Sequence, residues 1–217
     1  MKYDKSRLAA HSSIRRMVRF LTEPKKKYIE EGNGFHSEVL ALPGDTILIG
    51  YFQSERYFIE YADKISRELL INLPIYKTDY VDVNKATSIH VRRGDYLDIP
   101  GFALEDFETY YENAMAYIQN VDCCGSFIVF SDDTEWCRKH HLFSGCVFAD
   151  DIAGQENIDQ LVLMSRCRNH IIANSSFSWW GAWLNRSTSK IVVSPSSWFK
   201  GVDAMAASIV PNDWVVI

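Results

Sequence analysis

The sequence predicts an α/β fold built on a parallel sheet covered on both faces. From residue 86 onward, short continuous apolar runs alternate with amphipathic segments, the pattern of doubly buried strands joined by helices. Hydrophobic residues make up 47% of the 217 positions, enough for a packed core in one large domain or two small ones. Polar clusters recur directly after the apolar runs, at the carboxyl ends of the predicted strands, where such sheets bind ligands.

The elements follow in order. Residues 1–36 are polar with basic patches, "IRRMVRF" and "PKKKY"; a short helix over about 5–20 fits them, and the lysine run reads as a solvated face. "DTILIG" (45–50), after Pro43-Gly44, reads as a buried strand. "SERYFIEYADKISRELL" (54–70) sets Tyr57, Phe58, Tyr61, Ile65, Leu69 and Leu70 at helical spacing, with Ser54 as N-cap and Pro74 beyond the end. "TSIHV" is strand-like, 104–120 an amphipathic helix, "SFIVF" (126–130) a strand and "DDTEWCRKHH" a short helix. "VFA" (147–149) is a strand and 155–167 a helix. "HIIAN" (170–174), "SSFSWWGAWLN" (175–185) and "KIVVS" (190–194) complete a strand, a helix and a strand.

Composition excludes several function classes. A net charge of −5 and a pI near 5.7 argue against a general polyanion binder, while leaving room for a local basic pocket. The five cysteines, Cys123, Cys124, Cys137, Cys146 and Cys167, contain no CxxC and read as reduced, mostly buried thiols. "MKYDKSRLAAHSS" has no signal-peptide core, and no run of 18 apolar residues exists. The sequons at Asn174 and Asn185 therefore read as chance matches. His11, His36, His140 and His141 show no partner pattern and read as incidental. The RGD tripeptide at 93–95 would need a flexible secreted loop to serve adhesion.

Three loops carry the chemistry. After "SIHV" come Arg92, Arg93 and Asp95; after "FIVF" come Ser131, Asp132 and Asp133; after "HIIA" come Asn174, Ser175, Ser176 and Ser178. All three belong at one sheet edge and would gather in one crevice. Arginine offers a fixed fork of donors that fits phosphate oxygens. "NSSFS" opens a helix, whose N-terminal amides and hydroxyls favour an anion. The carboxylates could accept from sugar or base donors, or bind a metal. Plainer readings stand beside these: Arg92 and Arg93 as ion-pair partners of Asp95, Asp132 and Asp133 as helix cap and first turn, the serines as caps, and Trp179, Trp180 and Trp183 as core.

"SIHVRRGDYL", "FIVFSDDTEW" and "HIIANSSFSWWGAWLN", in that order, resemble the bacterial α-1,2-fucosyltransferases of glycosyltransferase family 11. "LVLMSRC", "IVVSPSSWF" and, upstream, "GYFQSERYF" fit as well. The resemblance implies a GT-B-like enzyme in which a Rossmann-type donor domain (86–217) binds GDP-L-fucose and residues 1–85 form a partial acceptor-side half. It implies inverting, metal-independent transfer of fucose to the 2-hydroxyl of a terminal β-galactose, with no cofactor beyond the GDP-L-fucose donor. It assigns the diphosphate to Arg92 and Arg93, loop orientation to His90 and Asp95, and the rest of the nucleotide site to Asp133, Asn174, Ser175, Ser176 and Ser178. Arg92 and Asp95 are the catalytic candidates, Asp95 as the local base. The partners implied are a nucleotide-sugar donor and a galactose-terminated glycan. Nucleic acid is excluded, the setting is the cytoplasm, and attachment to the inner membrane face stays open. The family's glycine-rich "GNQMFQ" segment is missing, so a truncated acceptor half is expected; the alternative function is a GDP-fucose-binding remnant with little or no catalysis.

Overall fold

The computed structural model describes residues 26–32, 34–70, 79, 81–122, 125–205 and 207–217. The expected helix over 5–20, His11, Pro74, Cys123 and Cys124 lie outside the described residues. The chain divides into two compact units between Gln53 and Ser54, not at the expected position 85/86. The reason lies in "SERYFIEYADKI": its Phe58, Ala62 and Ile65 pack into the core of the second unit.

In the first unit, β1 (Lys26–Ile29) pairs in parallel with β2 (Thr46–Ile49), Lys26 opposite Thr46. The lysine run enters a strand, and its Lys26 and Lys27 are exposed, the solvated face that was expected. "DTILIG" is a strand as expected, but it is not buried: Ile47, Leu48 and Ile49 are exposed. A two-stranded sheet has too little surface to cover both faces of a strand. Beyond β2 the chain folds back on Glu30, whose carboxylate accepts from the Tyr51 and Phe52 amides at 2.7 and 3.0 Å. A side chain at Gly50 would collide with Glu30, which explains glycine there.

The second unit opens with two 3-10 turns, 55–57 and 59–61, before α1 (Ala62–Leu70). Ser54 caps the first turn, not a continuous helix; its Oγ accepts from the Arg56 amide at 3.4 Å. Then follow β3 (Thr87–Val91), α2 (Phe107–Val121), β4 (Phe127–Ser131), α3 (Thr134–Lys139), β5 (Val147–Phe148), α4 (Asp150–Ala153), α5 (Asn157–Ser165), β6 (Asn169–Ile171), α6 (Ser176–Leu184) and β7 (Val192–Ser194). A short antiparallel hairpin, β8 (Ser197–Phe199) with β9 (Val202–Asp203), and β10 (Val215–Val216) close the chain; sequence periodicity missed these, along with α4.

Six strands form one parallel sheet in the order β10-β7-β6-β3-β4-β5, a Rossmann-like arrangement. Successive side chains point to opposite faces, and both faces are apolar. Ile89, Val91, Val129, Ile171 and Val193 pack on one side with Tyr110, Tyr111, Ala114 and Ile118 of α2. Ile128 and Phe130 pack with Leu163 and Met164 of α5, and Ile172 with Trp179 and Trp183 of α6. Trp179 and Trp183 are core, as the helical spacing suggested, with Trp180 packed against them. Cys137 and Cys167 are buried free thiols and Cys146 is half-buried. Among the described residues, no helix is long and apolar enough to cross a membrane.

Candidate functional site

The strand order places a switch point beside β3. The chain leaves β3 for β4 and β5 on one side, then returns to β6 on the other. Crevices in parallel sheets open at the carboxyl ends of such strand pairs. The loops after β3 and β6 therefore face each other, with the β4 loop adjoining. The expected convergence of the three polar loops is what the fold produces.

The β3 and β4 loops are joined by an ion-pair network. Arg92 donates from Nη2 to Asp95 Oδ1 at 2.6 Å and lies 3.1 Å, through Nη1, from Asp132 Oδ2. The Arg93 amide donates to Asp132 Oδ1 at 2.9 Å, and its Nε to Asp133 Oδ2 at 3.4 Å. The Arg93 guanidinium also lies 3.5 Å from the centre of the Trp136 ring. Gly94 makes the approach feasible, since a Cβ there would collide with the Asp132 carboxylate. The plainer reading, an ion pair of Arg92 with Asp95, is present, and it is one strand of a larger net. Two cations face three carboxylates, so an arriving anion exchanges with carboxylates for the guanidinium donors.

Asp133 has two roles. Its Oδ1 caps α3 by accepting from the Trp136 amide at 3.2 Å, while its other oxygen holds Arg93. His90 lies beneath the loop on β3, 4% exposed, its ring 5.3 Å from Phe177. Its Nδ1 is buried without a partner. Burial, and secondarily the Arg92 charge, push its pKa down to about 3, so it is neutral.

The β6 loop divides into residues that face outward and residues that do not. Ser175 is the N-cap of α6 with no side-chain capping bond, and Ser176, at the first helical position, is exposed. The helix start keeps amide donors that no capping side chain occupies. Asn174 is turned inward: its Nδ2 donates to Phe102 O and to Trp198 O, both at 2.8 Å, clamping two loops together. Ser178 is fully buried and its hydroxyl donates to Ser175 O at 3.2 Å. The Asn174 amide nitrogen and the Ser178 hydroxyl are thus engaged by backbone carbonyls and help build the crevice wall. Tyr96, which sequence reasoning passed over, donates to Asn174 O at 3.2 Å and ties the β3 loop to the β6 loop.

Two cavities flank the network. One of about 350 Å³ is lined by Gly101, Glu105, Asn174, Ser197, Trp198 and Lys200, beyond β6 and β7. The other, about 630 Å³, lies beyond β4 and β5 and is acidic: Asp132, Asp133, Glu135, Asp150 and Asp151 line it with Arg138 and Gln160. Asp150 and Asp151 were missed, although "VFADD" repeats the same signal of polar residues directly after a strand. The carboxylates suit hydroxyl and N–H donors, and the arginines suit anionic oxygens. Away from the crevice, Glu108, His140 and His141 come together, their potential ligand atoms within 4.8 Å of one another.

The comparisons agree with this chemistry. The family model described as glycosyl transferase family 11 matches residues 2–217. An alpha-1,2-colitosyltransferase of Escherichia coli is 37% identical over 190 residues, 82% of this chain and 64% of that protein. The O-antigen biosynthesis glycosyltransferase WbnK of the same species is 36% identical over 196 residues, with the same two coverages of 82% and 64%. A galactoside alpha-(1,2)-fucosyltransferase 1 of Bos taurus is 28% identical over 139 residues, 59% of this chain and 38% of that one. No solved structure matches. The chain thus spans 64% of the length of the two bacterial relatives. With a family match over nearly its whole length and a Rossmann-like sheet bearing that crevice, the chain belongs to glycosyl transferase family 11.

Proposed function

We propose that the protein transfers L-fucose, with inversion, from GDP-β-L-fucose to the 2-hydroxyl of a terminal β-galactose, as a galactoside 2-α-L-fucosyltransferase acting in the cytoplasm. The observation that carries the reading is that Arg92 and Arg93 follow β3, and the uncapped start of α6 follows its neighbour β6, at the switch point of a parallel sheet. In this reading the diphosphate takes the guanidinium donors and the amides at Ser176. The donor-rich nucleoside end lies toward the carboxylates beyond β4 and β5. The second unit serves as the donor half of a GT-B-like enzyme. The first unit belongs to the acceptor side.

As the glycosidic bond to the donor breaks, negative charge grows on the departing GDP. Prepositioned arginines stabilise that charge more in the transition state than in the ground state. Removing one such donor lowers turnover by about 100- to 1,000-fold. Metal is not required in this reading, because the cations beside the leaving group are protein side chains. The acceptor hydroxyl needs a base within hydrogen-bond reach. Asp95 is the local candidate, and its 2.6 Å bond to Arg92 gives it a second task, orienting that guanidinium.

The name of the Escherichia coli colitosyltransferase raises a second donor. Colitose is fucose without its 3-hydroxyl, so the same arginine clamp would serve both sugars. The test incubates the full chain with GDP-fucose and, separately, GDP-colitose, each with a panel of β-galactosides, and determines the linkage formed. Transfer from GDP-fucose in α-1,2 linkage is expected. Preference for GDP-colitose would move the donor assignment. Calorimetric titration of GDP into wild type and the Arg92→Ala/Arg93→Ala protein separates binding from turnover. Equal affinity would overturn the site. Arginine-dependent binding without transfer would identify a donor-binding remnant.

A further inference from the structure

Outside the crevice, one grouping of ligand-type side chains stands out among the described residues. Glu108 lies in the first turn of α2, His140 ends α3 and His141 begins the following 3-10 turn. Thirty-two positions separate Glu108 from His140, and the packing of α2 beside α3 brings them together. Glu108 Oε1 lies 3.3 Å from His140 Nε2. The His140 and His141 rings stack at 4.7 Å, and one ligand atom from each of the three residues lies within 4.8 Å of the others. Two ligands held about 2.1 Å from a tetrahedral ion stand about 3.4 Å apart, so the Glu108–His140 pair already has that spacing. A small side-chain rotation completes the set.

We propose that Glu108, His140 and His141 form a binding site for a divalent transition-metal ion, of the two-histidine, one-carboxylate kind, with the remaining positions open to water. Imidazole and carboxylate suit zinc, nickel and copper(II) better than magnesium or calcium, which favour all-oxygen sets. His140 is held rigidly, its ring 4.4 Å from Trp136 and 5.7 Å from Phe143. Glu108 and His141 are exposed, so an ion reaches the site from solvent. His140 Nδ1 is buried with no partner. Ligating histidines ordinarily donate that second N–H to an oxygen, a partner worth about 10- to 100-fold in affinity. Its absence makes this a site weaker than a structural zinc site.

The site also touches the crevice. Trp136 contacts the His140 ring on one hand and the Arg93 guanidinium on the other, the latter at 3.5 Å. A bound ion therefore sits one aromatic ring away from an anion-binding arginine. The inference does not depend on the proposed sugar transfer.

Calorimetric titration of Ni2+ into the full chain tests it. Nickel is chosen because the adjacent Cys123 and Cys124 favour softer ions. We expect one saturable site that is weakened about 10-fold or more by His141→Ala and by Glu108→Ala, both exposed positions that leave the core intact. A Cys123→Ser/Cys124→Ser protein should bind as wild type does. Co2+ should give the visible absorption of a site with nitrogen and oxygen ligands. No binding, or binding unchanged in both single variants, would overturn the proposal, as would loss confined to the cysteine variant.

Discussion

Acid should destabilise the second unit through two buried histidines, and His170 gives the clearest test. It lies on β6, fully buried, with Nδ1 2.8 Å from Ser88 Oγ and Nε2 2.9 Å from Asn185 Nδ2. The Asn185 amide is oriented by its other contacts: Nδ2 also donates to Cys167 O at 2.7 Å, and Oδ1 accepts from the Ser187 amide at 2.9 Å. Nε2 must therefore accept, and Nδ1 carries the proton. A second proton would set N–H against N–H in a dry site. Burial first, and the Lys190 charge second, push the pKa down to about 3. An unfolded histidine titrates near 6.5, so below that pH the unfolded chain binds more protons than the folded one. The stability is fully present above about 6.5 and is lost as pH falls toward about 3, at up to about 1.4 kcal/mol per pH unit. At pH 5 the loss is about 2 kcal/mol for His170 and about as much for His90, whose pKa is also about 3. Together they amount to about 4 kcal/mol, or about 8–16 °C in Tm for a chain of this size. His140, also shifted down, acts in the same direction. All six tryptophans lie in the second unit, so tryptophan fluorescence during urea unfolding reports that unit alone. Between pH 7 and pH 5 wild type should lose about twice as much stability as His170→Gln, even if the variant starts lower. Equal losses would refute the reasoning.

Asn174→Ala should lower stability by about 1–3 kcal/mol, because it abandons Phe102 O and Trp198 O together; an unchanged Tm would show that the amide does not hold those loops. Gly181→Ala should destabilise by about 1–3 kcal/mol, since the new methyl collides with Met164 of α5, and a smaller residue at 164 should restore part of the loss, as thermal melts would show. If the chain turns over sugar, activity should survive excess EDTA, which also strips any ion from Glu108, His140 and His141. Loss on chelation and recovery with manganese or magnesium would turn Asp132 and Asp133 into metal ligands. Amide exchange should be faster in β1 and β2 than in β3 and β4, because no described residue of the first unit is buried; uniform protection would contradict this.

What the sequence determined by itself was the alternation of β3, α2, β4, α3, β5, α5, β6, α6 and β7, and the polar loops that follow the strands. These are local properties. A continuous apolar run marks a strand buried on both faces, helical spacing marks its cover, and a serine or aspartate after a strand marks a helix start. Arg92, Arg93 and Asp133 were legible for that reason. The tertiary structure decided what depends on contacts distant in sequence. It set β6 beside β3, which makes the switch point. It turned Asn174 toward carbonyls 72 and 24 residues away and buried Ser178. It added β1, a strand that carries the solvent-exposed Lys26 and Lys27, and left β2 exposed. It brought Glu108 to His140 and His141, which sequence spacing had left without a partner. Spacing along the chain determines which element a residue occupies and which face it takes. Which carbonyl, carboxylate or ring then meets it is decided when separate elements pack, and no short window of sequence contains both partners.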